Sequence, residues 1–261
     1  TSTAAMMPHP KIKTADGSMD FPRRERIIVS TEGASLRQTK TSSGAGIAAT
    51  AIENGEFQRR SYPAAHGGNH AGRGYEFVEE MSLPDHADGI AEEAEALLTA
   101  PECPYGKTDL IIGSSQLALQ IHESCGHPIE LDRVLGTEIS LAGGSFLSLD
   151  KWNNFQYGSP KVNITADATL PGGLGSFGFD DEGVPAQRTP VVQEGKFVGY
   201  LMSRETAKTL GLRSNGCMRA DGWGVIPLIR MVNVSIEPGD ADLESLIADT
   251  QDGIMVDTNK S

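Results

Sequence analysis

Glycine and proline interrupt this chain so often that it has room for few long helices. The 261 residues include 30 glycines and 14 prolines, which mark turns and end helices. Hydrophobic residues make up 38% and charged residues 22%, a balance typical of a globular protein. The sequence predicts an α+β fold, with an N-terminal α/β region followed by a β-rich, mainly antiparallel domain.

Changes in composition and in hydrophobic period divide the chain into three regions. Residues 1–24 show no periodicity and are predicted to form a loose N-terminal arm. Residues 25–104 combine an antiparallel meander of short strands with an amphipathic helix, and form the α/β region. Residues 105–261 form the β-rich domain. The chain lacks an initial Met and ends just after a strand-like segment, so we expect a fragment truncated at its C-terminus.

The charge and the cysteines restrict the partners and the compartment. The chain has 35 acidic and 22 basic residues and a net charge of −13, which repels phosphate backbones and anionic lipids. Neither nucleic acid nor a membrane is therefore an expected partner. The 3 cysteines show no disulfide spacing, and no apolar run approaches the roughly 20 residues that cross a bilayer. We expect a cytoplasmic protein.

Two histidines and a glutamate form the pattern His122-Glu123-Ser124-Cys125-Gly126-His127. Neutral imidazoles suit Zn²⁺, and a carboxylate beside the ion can take a proton from water and pass it to a leaving amine. We therefore predict His122 and His127 as zinc ligands and Glu123 as the catalytic base of a hydrolase. The alternative is that the histidines are unrelated polar residues.

The two histidines lie five positions apart, which a regular α-helix does not accommodate. Five residues turn through about 500°, so the rings would diverge by roughly 140°. A one-residue π-bulge would bring both rings to one side, and Gly126 makes this distortion easier. We predict a widened turn at Ser124 to Gly126, with Cys125 packed into the core as a structural residue.

Other polar residues leave alternatives open. Glu130 and Asp132 either orient a ligand ring or face solvent. The acidic run 180–182 either binds a cation or, as we favour, forms a solvated turn before a glycine. His66 and His70 lie in a glycine-rich segment and are either metal ligands or residues of an ordinary loop.

The segment from Ser140 to Phe146 follows the histidine motif and is rich in small residues. We predict that it exposes a strand edge beside the site, to which an extended peptide adds by main-chain hydrogen bonds. Gly143, Gly144 and Ser145 are the candidate substrate-binding residues. Such binding reads the backbone more than the side chains, which suits broad specificity.

The motif and several other blocks resemble the TldD/PmbA family of metallopeptidases, once described as modulators of DNA gyrase. The resemblance covers nearly the whole chain from about Glu25. It implies an α/β region before a β-rich domain, and a homodimer or a heterodimer with a family member that encloses the active site. It also implies zinc-dependent cleavage of small or unfolded peptides. The blocks are His122-Glu123 with His127, residues 136–144, residues 180–186, Gly199-Tyr200-Leu201 and Ile236-Glu237-Pro238-Gly239.

The resemblance also implies a third zinc ligand, a cysteine close to the C-terminus of full-length family members. We expect this ligand beyond the end of the present chain, and we interpret Cys217 as a loop thiol rather than its substitute. Two histidines alone bind zinc weakly, so this chain by itself is expected to be metal-free and inactive. The alternative functions are a non-catalytic binding or regulatory subunit of such an assembly and a modulator of DNA gyrase.

Overall fold

The computed structural model describes residues 1–65 and 67–258, with the side chains of Leu141 and Ala142 left out. The α-helices are α1 (Ser2–Met6), α2 (Tyr75–Glu80), α3 (Leu83–Leu97), α4 (Ser114–Ile121), α5 (Leu131–Val134), α6 (Ile139–Ala142), α7 (Arg204–Thr209) and α8 (Leu243–Asp249). A π-helix spans His122–Gly126 and a 3₁₀-helix spans Leu149–Lys151. The strands are β1 (Ile12–Asp20), β2 (Arg23–Val29), β3 (Ser35–Thr41), β4 (Ser43–Glu53), β5 (Glu56–Tyr62), β6 (Asn69–Ala71), β7 (Asp109–Ile112), β8 (Ile164–Asp167), β9 (Arg188–Gln193), β10 (Lys196–Phe197), β11 (Met218–Arg219), β12 (Leu228–Ile229), β13 (Asn233–Ile236) and β14 (Gly253–Val256).

These elements form two compact units, and both are discontinuous in sequence. Unit 1 holds residues 1–23, 41–117 and 241–261, and unit 2 holds residues 24–40 and 118–240. The mixture of helices with mainly antiparallel sheets confirms the predicted α+β class. No helix among the described residues is long and apolar enough to cross a bilayer.

Unit 1 is built around the long central strand β4. This strand pairs antiparallel with β1, β5 and β6. Its small residues, such as Ala49 and Ala51, let helix α3 pack closely on the sheet through Ala87 and Ile90. The β4–β5 hairpin turns at Asn54-Gly55, both with positive φ, as a tight hairpin turn requires.

The predicted loose arm at residues 1–24 is wrong. Met6 is fully buried, and β1 pairs with β4 from Ile12 to Asp20. Most β1 side chains are exposed, so the strand shows no hydrophobic alternation that the sequence could reveal. It is held largely by main-chain hydrogen bonds. The predicted single meander is also wrong, because β2 and β3 form a separate two-stranded sheet.

Unit 2 carries a four-stranded antiparallel sheet in the order β10-β9-β8-β13. Its core includes the largest buried side chains, among them Phe197 and Tyr200. Ser203 caps the N-terminus of helix α7 and forms a capping box with Thr206. The motif helix packs on this core through Cys125.

The predicted continuous domain 105–261 differs from the spatial division. Residues up to 117 and from 241 onward group with unit 1, and within these stretches β7 and β14 pair with each other in parallel. The units defined by contacts are therefore discontinuous in sequence, and the predicted boundary near residue 105 stays a prediction.

Candidate metal centre

The two motif histidines lie at opposite ends of a widened helical turn. Helix α4 continues directly into the π-helix His122–Gly126. The amide of His127 donates to the carbonyl of His122 at 3.1 Å, which is the i to i+5 bond of a π-turn. The predicted distortion at Ser124 to Gly126 is confirmed.

This turn brings the three predicted site residues together. The rings of His122 and His127 lie 4.7 Å apart between centroids and meet at 87°. Nε2 of His122 is 3.8 Å from Oε1 of Glu123. One ligand atom from each of the three residues falls within 4.8 Å of the others. Two imidazole nitrogens and a carboxylate oxygen grouped in this way are a donor set that suits a divalent ion such as Zn²⁺.

The surroundings favour the form of histidine that binds metals. Burial lowers the pKa of His122 below its usual value, and the nearby His127 adds to this effect. A neutral imidazole keeps a lone pair free for a metal. Glu123 is exposed and His127 is partly buried, so the group is both anchored and accessible.

Two contacts hold the widened turn in place. The Tyr157 hydroxyl donates to the carbonyl of Ser124 at 2.8 Å, satisfying a carbonyl within the π-helix. A Cβ at Gly126 would collide with Sδ of Met231. Glycine at this position therefore lets the segment that carries Met231 lie close to the turn. Neither partner has a local signal in the sequence, because both Tyr157 and Met231 are distant from the turn along the chain.

The described cysteines at 125 and 217 play no part in the group. Cys125 is fully buried, as predicted for a structural residue, and burial raises its pKa to about 12. Cys217 is also buried, and burial raises its pKa to about 12. Neither thiol is one of the three clustered ligands. The interpretation that Cys217 is not a ligand is consistent with this arrangement.

Glu130 and Asp132 have different roles. The sequence alone did not decide whether either residue orients a ligand ring or faces solvent. Oε2 of Glu130 lies 3.1 Å from Nδ1 of His127. The carboxylate of Asp132 instead accepts from the backbone amides of Arg133 and Ile229. Only Glu130 of the two touches a motif histidine, and neither side chain faces solvent.

The predicted strand edge after the motif is not formed. Residues 139–142 form helix α6, and no strand follows through residue 148. Gly143 adopts a positive φ of 76° as the helix ends. The Ser145 hydroxyl donates to the carbonyl of Pro128 at 2.7 Å. A peptide therefore finds no preformed strand to extend at Gly143, Gly144 and Ser145, and the role of these three residues in substrate binding stays a prediction.

The acidic run 180–182 is not a solvated turn. Asp180 is fully buried and accepts from the backbone amides of Glu182, Val184 and Met218. Asp181 binds Arg26 at 2.8 Å. The run therefore organises a turn through internal hydrogen bonds.

The glycine-rich segment that carries His66 and His70 lies only partly within the described residues. His66 lies outside the described residues, so its predicted alternatives stay open. His70 pairs with Asp20 at 2.9 Å. That contact explains the position of His70 without a metal.

The chain matches two described domains of one family. Residues 4–100 match the PmbA/TldA metallopeptidase central domain, and residues 105–260 match the PmbA/TldA metallopeptidase C-terminal domain. Among solved structures, a putative modulator of a DNA gyrase from Thermotoga maritima has a TM-score of 0.75 at 23% identity. That alignment covers 94% of this chain and 52% of the other. This likeness supports the fold.

Curated relatives carry metalloprotease names. A metalloprotease of Methanocaldococcus jannaschii is 34% identical over 246 residues, covering 94% of this chain and 51% of the relative. A zinc metalloprotease TldD homolog of Saccharolobus solfataricus is 28% identical over 149 residues, covering 57% of this chain and 31% of the relative. The chain spans about half the length of the first of these. Together with the matched domains, these similarities show that the chain belongs to the PmbA/TldD family of metallopeptidases.

Proposed function

We propose that the protein hydrolyses peptide bonds in small or unfolded peptides, with zinc held by His122 and His127. The observation that carries this proposal is the convergence of two imidazoles and a carboxylate on one side of a π-turn. Membership of a metallopeptidase family supports it. The zinc assignment is supported by nitrogen-rich donor chemistry and by the name of the Saccharolobus relative.

The two histidines have the task of holding and orienting the ion. Zinc, when bound, polarises the scissile carbonyl and makes a water easier to deprotonate. Catalytic zinc sites normally have three protein ligands. The family resemblance predicts a cysteine as the third, and among the described residues neither Cys125 nor Cys217 joins the cluster. Zinc binding by the two histidines alone is therefore expected to be weak.

Glu123 has the task of moving protons. Its carboxylate is exposed beside His122, where it can accept a proton from the attacking water. It then gives that proton to the departing amine as the carbon–nitrogen bond breaks. A base that takes and returns the same proton leaves the enzyme unchanged after each cycle.

The variant Glu123→Gln tests this assignment. We expect it to keep zinc and to lose hydrolysis by a factor of about 10²–10⁴, because the amide accepts no proton from water. The measurement is cleavage of a quenched fluorescent peptide by the zinc-supplemented full-length protein, alongside its zinc content. Glu56→Gln, at an exposed hairpin turn of unit 1, is the control and should cleave at the parental rate. Parental cleavage by Glu123→Gln would show that the base is wrongly assigned.

The alternative functions stay predictions. A non-catalytic subunit or a modulator of DNA gyrase would need no intact His122, Glu123 and His127, and all three are present. A pull-down with a topoisomerase, compared with peptide cleavage, separates these alternatives. Dimerisation with itself or with a family member and the cytoplasmic location likewise stay predictions, and light scattering of the purified protein tests the first.

A further inference from the structure

Glu130 is a buried acid that faces the second motif histidine. Its side chain is 1% exposed, and Oε2 lies 3.1 Å from Nδ1 of His127. Oε1 accepts from the backbone amide of Met231 at 3.2 Å. Both carboxylate oxygens are therefore occupied, and one of them is directed at the histidine ring.

Arg133 holds this carboxylate in place. Its Nε and Nη2 donate to Oε2 of Glu130 at 3.2 and 3.0 Å. Nη2 is also 3.7 Å from the buried Glu138. A buried carboxylate is costly unless it is paired, and the guanidinium of Arg133 supplies that pairing.

Two groups compete for Nδ1 of His127, and the geometry favours one. Both oxygens of Glu130 already accept hydrogen bonds, Oε2 from Arg133 and Oε1 from Met231, so the 3.1 Å contact with Oε2 assigns the proton to Nδ1. The contact from Nη2 of Arg133, which could only donate, is longer at 3.4 Å. A proton on Nδ1 leaves the lone pair on Nε2, the nitrogen that remains free for an ion.

We propose that Glu130 is a positioning residue that fixes the tautomer and orientation of His127, so that Nε2 is presented to the metal. This inference rests on the proposed function, because it assumes that His127 is a ligand. Glu130 does not itself touch the reacting atoms. It acts through the ring of His127, which in turn holds the ion.

Asp132 provides a matched control on the same segment. Like Glu130 it is buried, at 6% exposure, and it also accepts a backbone amide from the 229–231 segment. Its carboxylate accepts from the backbone amides of Arg133 and Ile229, and among the described residues it has no hydrogen bond to either motif histidine. A loss of zinc caused only by a disturbed core should therefore follow from changing either acid.

Zinc titration of variants separates positioning from packing. We expect Glu130→Leu to weaken zinc binding 10–100-fold, as loss of such a supporting carboxylate typically does. Glu130→Gln keeps an acceptor for Nδ1–H and should lose less. Asp132→Asn should lower the denaturant midpoint but leave the zinc affinity within about twofold, since its partners are backbone amides. Equal zinc affinity in Glu130→Leu and the parent would overturn the proposal.

Nitrogen NMR of the histidines gives a readout that simple packing would not move. In the metal-free parent protein we expect His127 to carry its proton on Nδ1, and Glu130→Gln should weaken that preference. A proton on Nε2 in the parent would overturn the proposal even if Glu130→Leu fails to fold. Failure here is distinct from failure of the proposed function, which would appear as undiminished hydrolysis by Glu123→Gln.

Discussion

Two buried acids of unit 2, Glu130 and Asp180, look alike by burial and differ in what they touch. Both are at most 1% exposed. Glu130 contacts a predicted metal ligand and the guanidinium of Arg133, whereas Asp180 accepts three backbone amides. Burial of a carboxylate therefore does not by itself indicate a functional site. The chemical identity of its partners distinguishes the two cases.

The hydrogen-bond partners of each acid also determine which property should change when the acid is substituted. Burial raises the pKa of Asp180, and its three amide donors act in the opposite direction. Those donors come from the same turn and from Met218, 38 positions away. Asp180 thus links a turn to a distant strand, and its loss should affect stability rather than zinc.

Asp180→Ala is expected to lower the free energy of unfolding more than Gly126→Ala does. Removing the carboxylate leaves three buried amides without their acceptor, which should lower the free energy of unfolding by about 3 kcal/mol. Urea denaturation measures this loss. Asp240→Ala, at an exposed position, should change stability by less than about 0.5 kcal/mol.

The zinc affinity of the folded Asp180→Ala variant tests the comparison between the two acids further. We expect it to match the parent, because Asp180 touches none of the three clustered residues. A variant with normal stability and weakened zinc binding would reverse the roles assigned to the two acids.

Gly126→Ala should lower the free energy of unfolding less than Asp180→Ala does. The added methyl collides with the Met231 thioether, so we expect a loss of about 1–2 kcal/mol as the flexible methionine moves aside. Placing the same substitution in a Met231→Ala background should remove most of this penalty. Equal penalties in both backgrounds would show that the cause is the helix itself and not the contact.

The sequence predicted the features that depend on local geometry. The five-residue spacing of His122 and His127 required a widened turn, and the structure has one. Cys125 was likewise predicted to pack into the core and is fully buried, because the face of the helix on which it lies follows from the same local spacing.

The predictions that were wrong concern features that depend on residues distant in the sequence. The β1 strand is stabilised by pairing with β4 rather than by an apolar pattern, and Asp180 is buried by Met218 and its own turn. The small residues after the motif suggested a strand, but residues 139–142 form a helix and Ser145 binds Pro128. The Glu130–Arg133 pair had a local signal in its three-residue spacing, whereas its contact with Met231 had none.

The most direct test of the account is zinc titration of the full-length parent, which is expected to carry the third ligand that the family resemblance implies, and of its double variant His122→Ala/His127→Ala. At saturating zinc the parent should bind about one ion per chain at the histidine pair, and the double variant should lose that binding. An unchanged affinity in the double variant, or a parent that binds no zinc at saturation, would contradict the claim that these two imidazoles form a metal site.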